Sequence, residues 1–211
     1  MTSRRMEAAL IASLCALLLQ GCIEMAAVGV GAGIVSAIDR RTTGAQIDDE
    51  GIELRAVNRI RDRFGDRAHI NVTSYNRIVM LTGETPDAGA KEELEKIVSG
   101  LQGVRGVTNE IQVAGISAYS ARASDSTITG KVKARFLDAN KFNPIHVKVV
   151  TEAGVVYLMG IVTEKEGADA TEVARTTGGV RKVVKVFEYC RLTDDACRPR
   201  EQAKGGDSKA R

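Results

Sequence analysis

Tryptophan is absent from the chain, and aromatic residues make up only 4% of its 211 residues. That removes the usual interfacial anchors and base-stacking platforms. Histidine is nearly absent too, with only His69 and His146 present. Both fall near the start of a strand in two similar segments and read as edge residues, not as bases. There is no Ser-His-Asp set, no ligand cluster with metal-binding spacing and no carboxylate pair in a predicted pocket, so the sequence nominates no catalytic residue and no metal ligand. A charge excess is also missing. Loss of residues 1–21 would take Arg4, Arg5 and Glu7 from totals of 30 basic and 27 acidic side chains, leaving a balance near +2. A field that weak does not draw nucleic acid, and any attraction to an anionic partner must come from a local patch. Gly29-Val30-Gly31-Ala32-Gly33 looks like a phosphate loop but lacks the preceding strand, the following helix and the acidic ribose ligand. No small-molecule substrate or cofactor is implied.

What is present begins at the amino terminus. Arg4 and Arg5 precede an apolar run from Ala8 to Leu19, long enough for a signal core and too short to span a bilayer stably. Leu19-Gln20-Gly21-Cys22 follows, with a small residue just before a cysteine as a lipoprotein peptidase requires. This predicts a signal peptide over 1–21 and Cys22 as the acylated new terminus, carrying diacylglycerol and an N-acyl chain as its only covalent additions. The alternatives are an ordinary cleaved signal or an uncleaved anchor running on through Ala26 to Ile38, although Gln20, Gly21 and Glu24 interrupt that run. Several acyl chains anchor stably, since each buried methylene contributes about 0.8 kcal/mol. Ile23, in place of an aspartate after the cysteine, points to the outer membrane, with the protein held by lipid on the periplasmic face.

About 190 residues then remain, enough for one or two small domains, and they repeat. Ile70-Asn71-Val72-Thr73 and Ile78-Val79-Met80-Leu81-Thr82-Gly83 return as Val147-Lys148-Val149-Val150 and Val155-Val156-Tyr157-Leu158-Met159-Gly160, while Gly103-Val104-Arg105 returns as Gly179-Val180-Arg181. A repeat this long is a duplicated domain. Each copy reads as helix, hairpin, helix, strand. The first helices carry Leu54, Val57, Ile60 and Phe64 in one copy, and Ile128, Val132 and Phe136 in the other, at helical spacing. Alternating strands flank Asn76-Arg77 and Glu152-Ala153-Gly154 as turns, and Gly83 and Gly160 mark bulges or changes of direction. The second helices carry Ala90, Leu94, Ile97, Val98 and Leu101, then Ala168, Ala170, Val173 and Ala174. Final strands run over Val107 to Val113 and Val183 to Tyr189. The fold class is α+β, each αββαβ unit packing two helices on a three-stranded mixed sheet.

These motifs, with Thr43-Gly44-Ala45-Gln46-Ile47-Asp48-Asp49 and Asn109-Glu110-Ile111, resemble the BON domain. Two copies behind a lipobox are similar to the division- and stress-associated outer-membrane lipoproteins. The resemblance implies a non-enzymatic protein that supports outer-membrane integrity and contacts anionic phospholipid through its second BON domain. The domains then run over 47–115 and 125–191 behind an acylated segment over 22–46, while composition reads 116–124 as a Ser/Ala/Gly-rich linker and 192–211 as a disordered charged tail.

On the first helix of the second copy, Thr127, Lys131, Ala134 and Leu137 share a face away from the core stripe, with Arg135 at its border. That pattern suits a phosphate headgroup above acyl chains, or an ordinary solvated face with one stray leucine; the resemblance implies lipid contact on this helix. The family often has tryptophan where this chain has Thr127. In the first copy, Arg55, Arg59, Arg61 and Arg63 lie among Glu53 and Asp62 as helix-surface charge. Protein partners, such as an outer-membrane assembly machine or a peptidoglycan-remodelling enzyme, are the alternative to lipid. Cys190 and Cys197 could form a small-loop disulfide or remain two thiols.

Overall fold

The computed structural model describes residues 39–197; the signal segment, Cys22, the Gly29 to Gly33 loop and residues 198–211 lie outside them. The order of elements is α1 (Thr43–Phe64), β1 (His69–Tyr75), β2 (Ile78–Thr85), α2 (Ala88–Ser99), β3 (Gly106–Asn109), β4 (Gln112–Val113), α3 (Tyr119–Ala139), β5 (Val147–Glu152), β6 (Val155–Val162), α4 (Glu164–Arg175) and β7 (Lys182–Tyr189). Each hairpin is antiparallel, and the last strand of each repeat lies parallel to the hairpin's second strand. Both repeats are therefore αββαβ with a mixed sheet. No helix among the described residues is long and apolar enough to cross a membrane.

Local chemistry explains the elements. Thr42 caps α1 by accepting from the Ala45 amide, and Thr163 and Glu166 form a reciprocal capping box at the start of α4. In the first hairpin Asn76 and Arg77 take φ of 51° and 66°, and in the second Ala153 and Gly154 take 47° and 72°, the left-handed pairs that a two-residue turn between twisted strands needs.

Several expectations are corrected. Ile60 and Phe64 are buried as expected, but Leu54 is exposed and Val57 only half-buried, and the rest of the α1 stripe is Ala45, Ile52 and Ala56. In α4 the buried small residue near the start is Gly167, packed under Tyr189, Val162 and Phe187, while Ala168 is exposed. The final strand of the first repeat breaks between β3 and β4, because Ile111 turns into the core and is stapled by Asn109 Oδ1, which accepts from its amide. The linker over 116–124 is cut short, since α3 already begins at Tyr119. The tail expected to be disordered from 192 instead makes turns to Cys197, which is buried and disulfide-bonded to Cys190.

The two repeats belong to one compact unit, and the way they join explains why β2 and β6 do not alternate. Both strands are buried on both faces. One face of each sheet packs on its own helices: Val79 and Leu81 with Ile52 and Leu94 in the first repeat, Val156 and Leu158 with Val132 and Val173 in the second. The opposite faces meet each other through Tyr75, Met80, Tyr157, Met159 and Ile161, with Cys197 joining the cluster. Polar ties ring this contact. Lys148 Nζ reaches Glu53 at 2.9 Å, Asn76 donates to Glu188 at 2.8 Å, and Asn71 donates to Glu152 at 2.6 Å.

Arg40 adds a fork ahead of α1. Its two terminal nitrogens donate to the Glu166 carboxylate at 2.6 and 2.9 Å, and one also reaches the Ile161 carbonyl. Burial draws the Glu166 pKa upward, but the Arg40 hydrogen bond and the Thr163 amide outweigh it and hold the value at about 2. The folded pKa thus lies below its ordinary 4.5, so this stabilisation is present above that pH and is lost as pH falls toward 2. Urea unfolding across that acid range should show a shallower pH slope in Arg40→Gln than in the parent; an identical slope would contradict the role given to the fork.

Candidate functional site on α3

The helix α3 is placed by a buried stripe of Asp125, Ile128, Val132 and Phe136, with Phe136 edge-on to Phe142 at 4.9 Å. Asp125 sits in this apolar stripe for a reason: its carboxylate accepts from the Ala153 and Gly154 amides at 2.9 and 2.8 Å, capping the second hairpin turn. Asp49 does the same in the first repeat, accepting from the Asn76 and Arg77 amides and the Ser74 hydroxyl. Neither aspartate is evident from periodicity alone, although both recur at matching places on an apolar helix face.

The opposite side of α3 faces solvent. Thr127, Lys131, Ala134 and Leu137 are all exposed there, Leu137 at 67%. Arg135 departs from them. One of its terminal nitrogens donates to the Val173 carbonyl and to the Thr176 and Thr177 hydroxyls at 2.9–3.1 Å, so it braces the carbonyl end of α4. Thr127 likewise spends its hydroxyl on the Ala123 carbonyl.

Two exposed residues join the face that the sequence reading left out. Lys133 lies one turn before Leu137. Tyr119 is 83% exposed with the Arg122 guanidinium 4.4 Å above its ring, and it stands five whole turns before Leu137, on the same side of the helix. Tyr119 carries no sequence signal, because its segment reads as linker. Between these apolar ends lie Ala123, Gly130 and Ala134, flanked by Lys131 and Lys133, with Asp138 as an acidic group near the far end. The result is a long, low face with an apolar side chain at each end and ammonium groups at its margin.

A family model for the BON domain matches residues 48–115 and 124–191. The chain belongs to the BON-domain family. This BON-domain chain is 36% identical over 176 residues to the outer membrane lipoprotein DolP of Haemophilus influenzae, covering 81% of this chain and 90% of that protein. It is 37% identical over 154 residues to a 21 kDa hemolysin of Actinobacillus pleuropneumoniae, covering 72% and 79%. A third relative, the osmotically-inducible protein Y of Escherichia coli, is 29% identical over 144 residues, covering 66% and 72%. The likeness to DolP over most of both chains makes this BON-domain protein an outer-membrane lipoprotein.

Proposed function

We propose that this lipoprotein, tethered through acylated Cys22, binds anionic phospholipid through the α3 face of its second BON domain and thereby supports outer-membrane integrity without catalysing a reaction. The observation that carries the proposal is the exposed Leu137 beside Lys131 and Lys133, in line with Tyr119 on one helix face. Burying one leucine contributes about 1.5–3 kcal/mol, and each lysine near an anionic surface about 1 kcal/mol. Together these give about 4 kcal/mol, a dissociation constant near the millimolar range. That is weak for a soluble protein and useful for a tethered one, because acyl chains raise the effective concentration at the membrane. Acylation then supplies residence on the membrane, and α3 supplies the choice of lipid.

A second reading rests on α1, where Ile47 and Leu54 are exposed two turns apart; that face would suit an envelope protein. Flotation separates the two readings. The unacylated chain from residue 23 should float with phosphatidylglycerol-containing vesicles and not with zwitterionic ones, and Lys131→Glu with Lys133→Glu should abolish flotation while leaving the fold intact. No flotation of the parent would assign membrane attachment to the acyl chains alone and favour the protein-partner reading. Arg135, engaged with α4, is not part of this test.

A further inference from the structure

At the margin of the sheet-to-sheet contact, three residues distant in sequence converge. His69 and Glu84 are cross-strand partners on β1 and β2, so their side chains leave the same face of the first sheet. Glu152 comes from the end of β5 in the second repeat. One donor atom from each of the three lies within 4.8 Å of the other two.

The surroundings leave this cluster incomplete. Glu84 and Glu152 are each only 5% exposed. The Glu84 Oε2 and His69 Nε2 atoms are buried and have no hydrogen-bond partner, a condition that costs about 1–3 kcal/mol per group. Glu152 is held by the amide of Asn71 at 2.6 Å. A cleft of about 330 Å³ opens beside the cluster, lined by His69, Asn71, Arg122, Asp125 and Glu152 among others. Among the described residues Arg122 is the one cation lining the cleft, and of the two carboxylates there Asp125 is committed to the hairpin turn, leaving Glu152.

We infer that His69, Glu84 and Glu152 bind a zinc-type divalent cation that staples the two BON domains together. One imidazole nitrogen and two carboxylate oxygens make a donor set suited to zinc, whereas calcium and magnesium prefer oxygen alone. Three protein ligands leave a fourth position for water from the cleft. The donor atoms would draw inward on binding, with Asn71 orienting Glu152 from behind. Because ligands come from both repeats, the cation stabilises the docked arrangement in particular, and its effect grows with its free concentration.

Titration of the chelator-stripped full chain with zinc chloride, followed by calorimetry and thermal unfolding, tests the inference. One saturable zinc per chain and a raised unfolding midpoint are expected, both lost in His69→Gln and in Glu152→Gln. His146→Gln should keep the site, and Asn71→Ala should weaken it by about 10- to 100-fold. Because a variant could fail to fold, the ring resonances of His69 are followed in the parent protein, where zinc should shift them. Absence of saturable binding by the parent, binding retained by both ligand variants, or zinc binding that leaves the His69 ring unperturbed would each overturn the proposal.

Discussion

Asp49→Ala should lower the stability of the chain by about 3–5 kcal/mol, the loss typical of breaking a buried, partnered charge. Asp49 is 3% exposed. Its two oxygens hold the Asn76 and Arg77 amides at 2.8 and 2.6 Å, the Ser74 hydroxyl at 2.6 Å and the Arg41 guanidinium at 2.9 Å. Alanine would strand all of these at once, in a turn whose two central residues already take left-handed backbone angles. Asp125→Ala removes only the two amide contacts of the second hairpin, and should cost less, about 2–3 kcal/mol. Urea unfolding of both variants checks the pair. A loss below about 0.5 kcal/mol at Asp49, the size of an ordinary surface change, would mean that the turn does not depend on its helix.

Gly83→Ala should be comparably damaging, at about 3 kcal/mol. Gly83 has φ of 111°, and a Cβ there would collide with the His69 carbonyl on the adjacent strand. The backbones pair at this close approach, with Gly83 opposite Ile70. The second repeat builds the same feature: a Cβ on Gly160 would strike the His146 carbonyl. Neither obstacle is a flexible side-chain end, so relief requires the strands to part. Gly65→Ala makes a useful comparison, since Gly65 also has a positive φ but, beyond its chain neighbours, no atom lies within 4 Å of its Cβ position; it should pay only the conformational cost, about 1–2 kcal/mol. Equal losses at Gly83 and Gly65 in urea unfolding would show that the close strand approach contributes nothing.

The duplicated αββαβ order is legible because the strongest signals are local: two turns flanked by β-branched strands, and helices with apolar residues three or four apart. Legibility fails where tertiary context decides. Leu54 satisfies helical spacing as well as Ile60 does, yet it lies outside the stripe that Ala45, Ile52 and Ala56 define, and small alanines are weak markers of a buried face. Met80, Tyr157 and Met159 break the polar alternation of their strands; the reason is the other repeat, which covers them. The first turns of α3 carry serine and alanine and resemble a linker, so Tyr119 stays hidden.

Among the proposed lipid residues, spacing alone groups Thr127, Lys131, Ala134 and Leu137. Arg135 lies at the border, and only the position of the α4 carbonyls and hydroxyls decides where its guanidinium goes. The aspartates that cap the hairpins are invisible for a related reason: their partners are backbone amides about 28 residues away, and a charged residue in an amphipathic helix otherwise reads as solvated.

On anionic membranes the second domain should make contact through α3, and not through the exposed apolar residues of α1. An environment-sensitive fluorophore attached at Leu137→Cys in the unacylated chain distinguishes the two faces, with the same probe at Leu54→Cys as reference. On phosphatidylglycerol-containing vesicles a blue shift and gain of emission are expected at position 137, none at position 54, and none at either position on zwitterionic vesicles. A shift at 54 alone, or no shift at 137 under conditions where the protein is vesicle-bound, would contradict contact through α3.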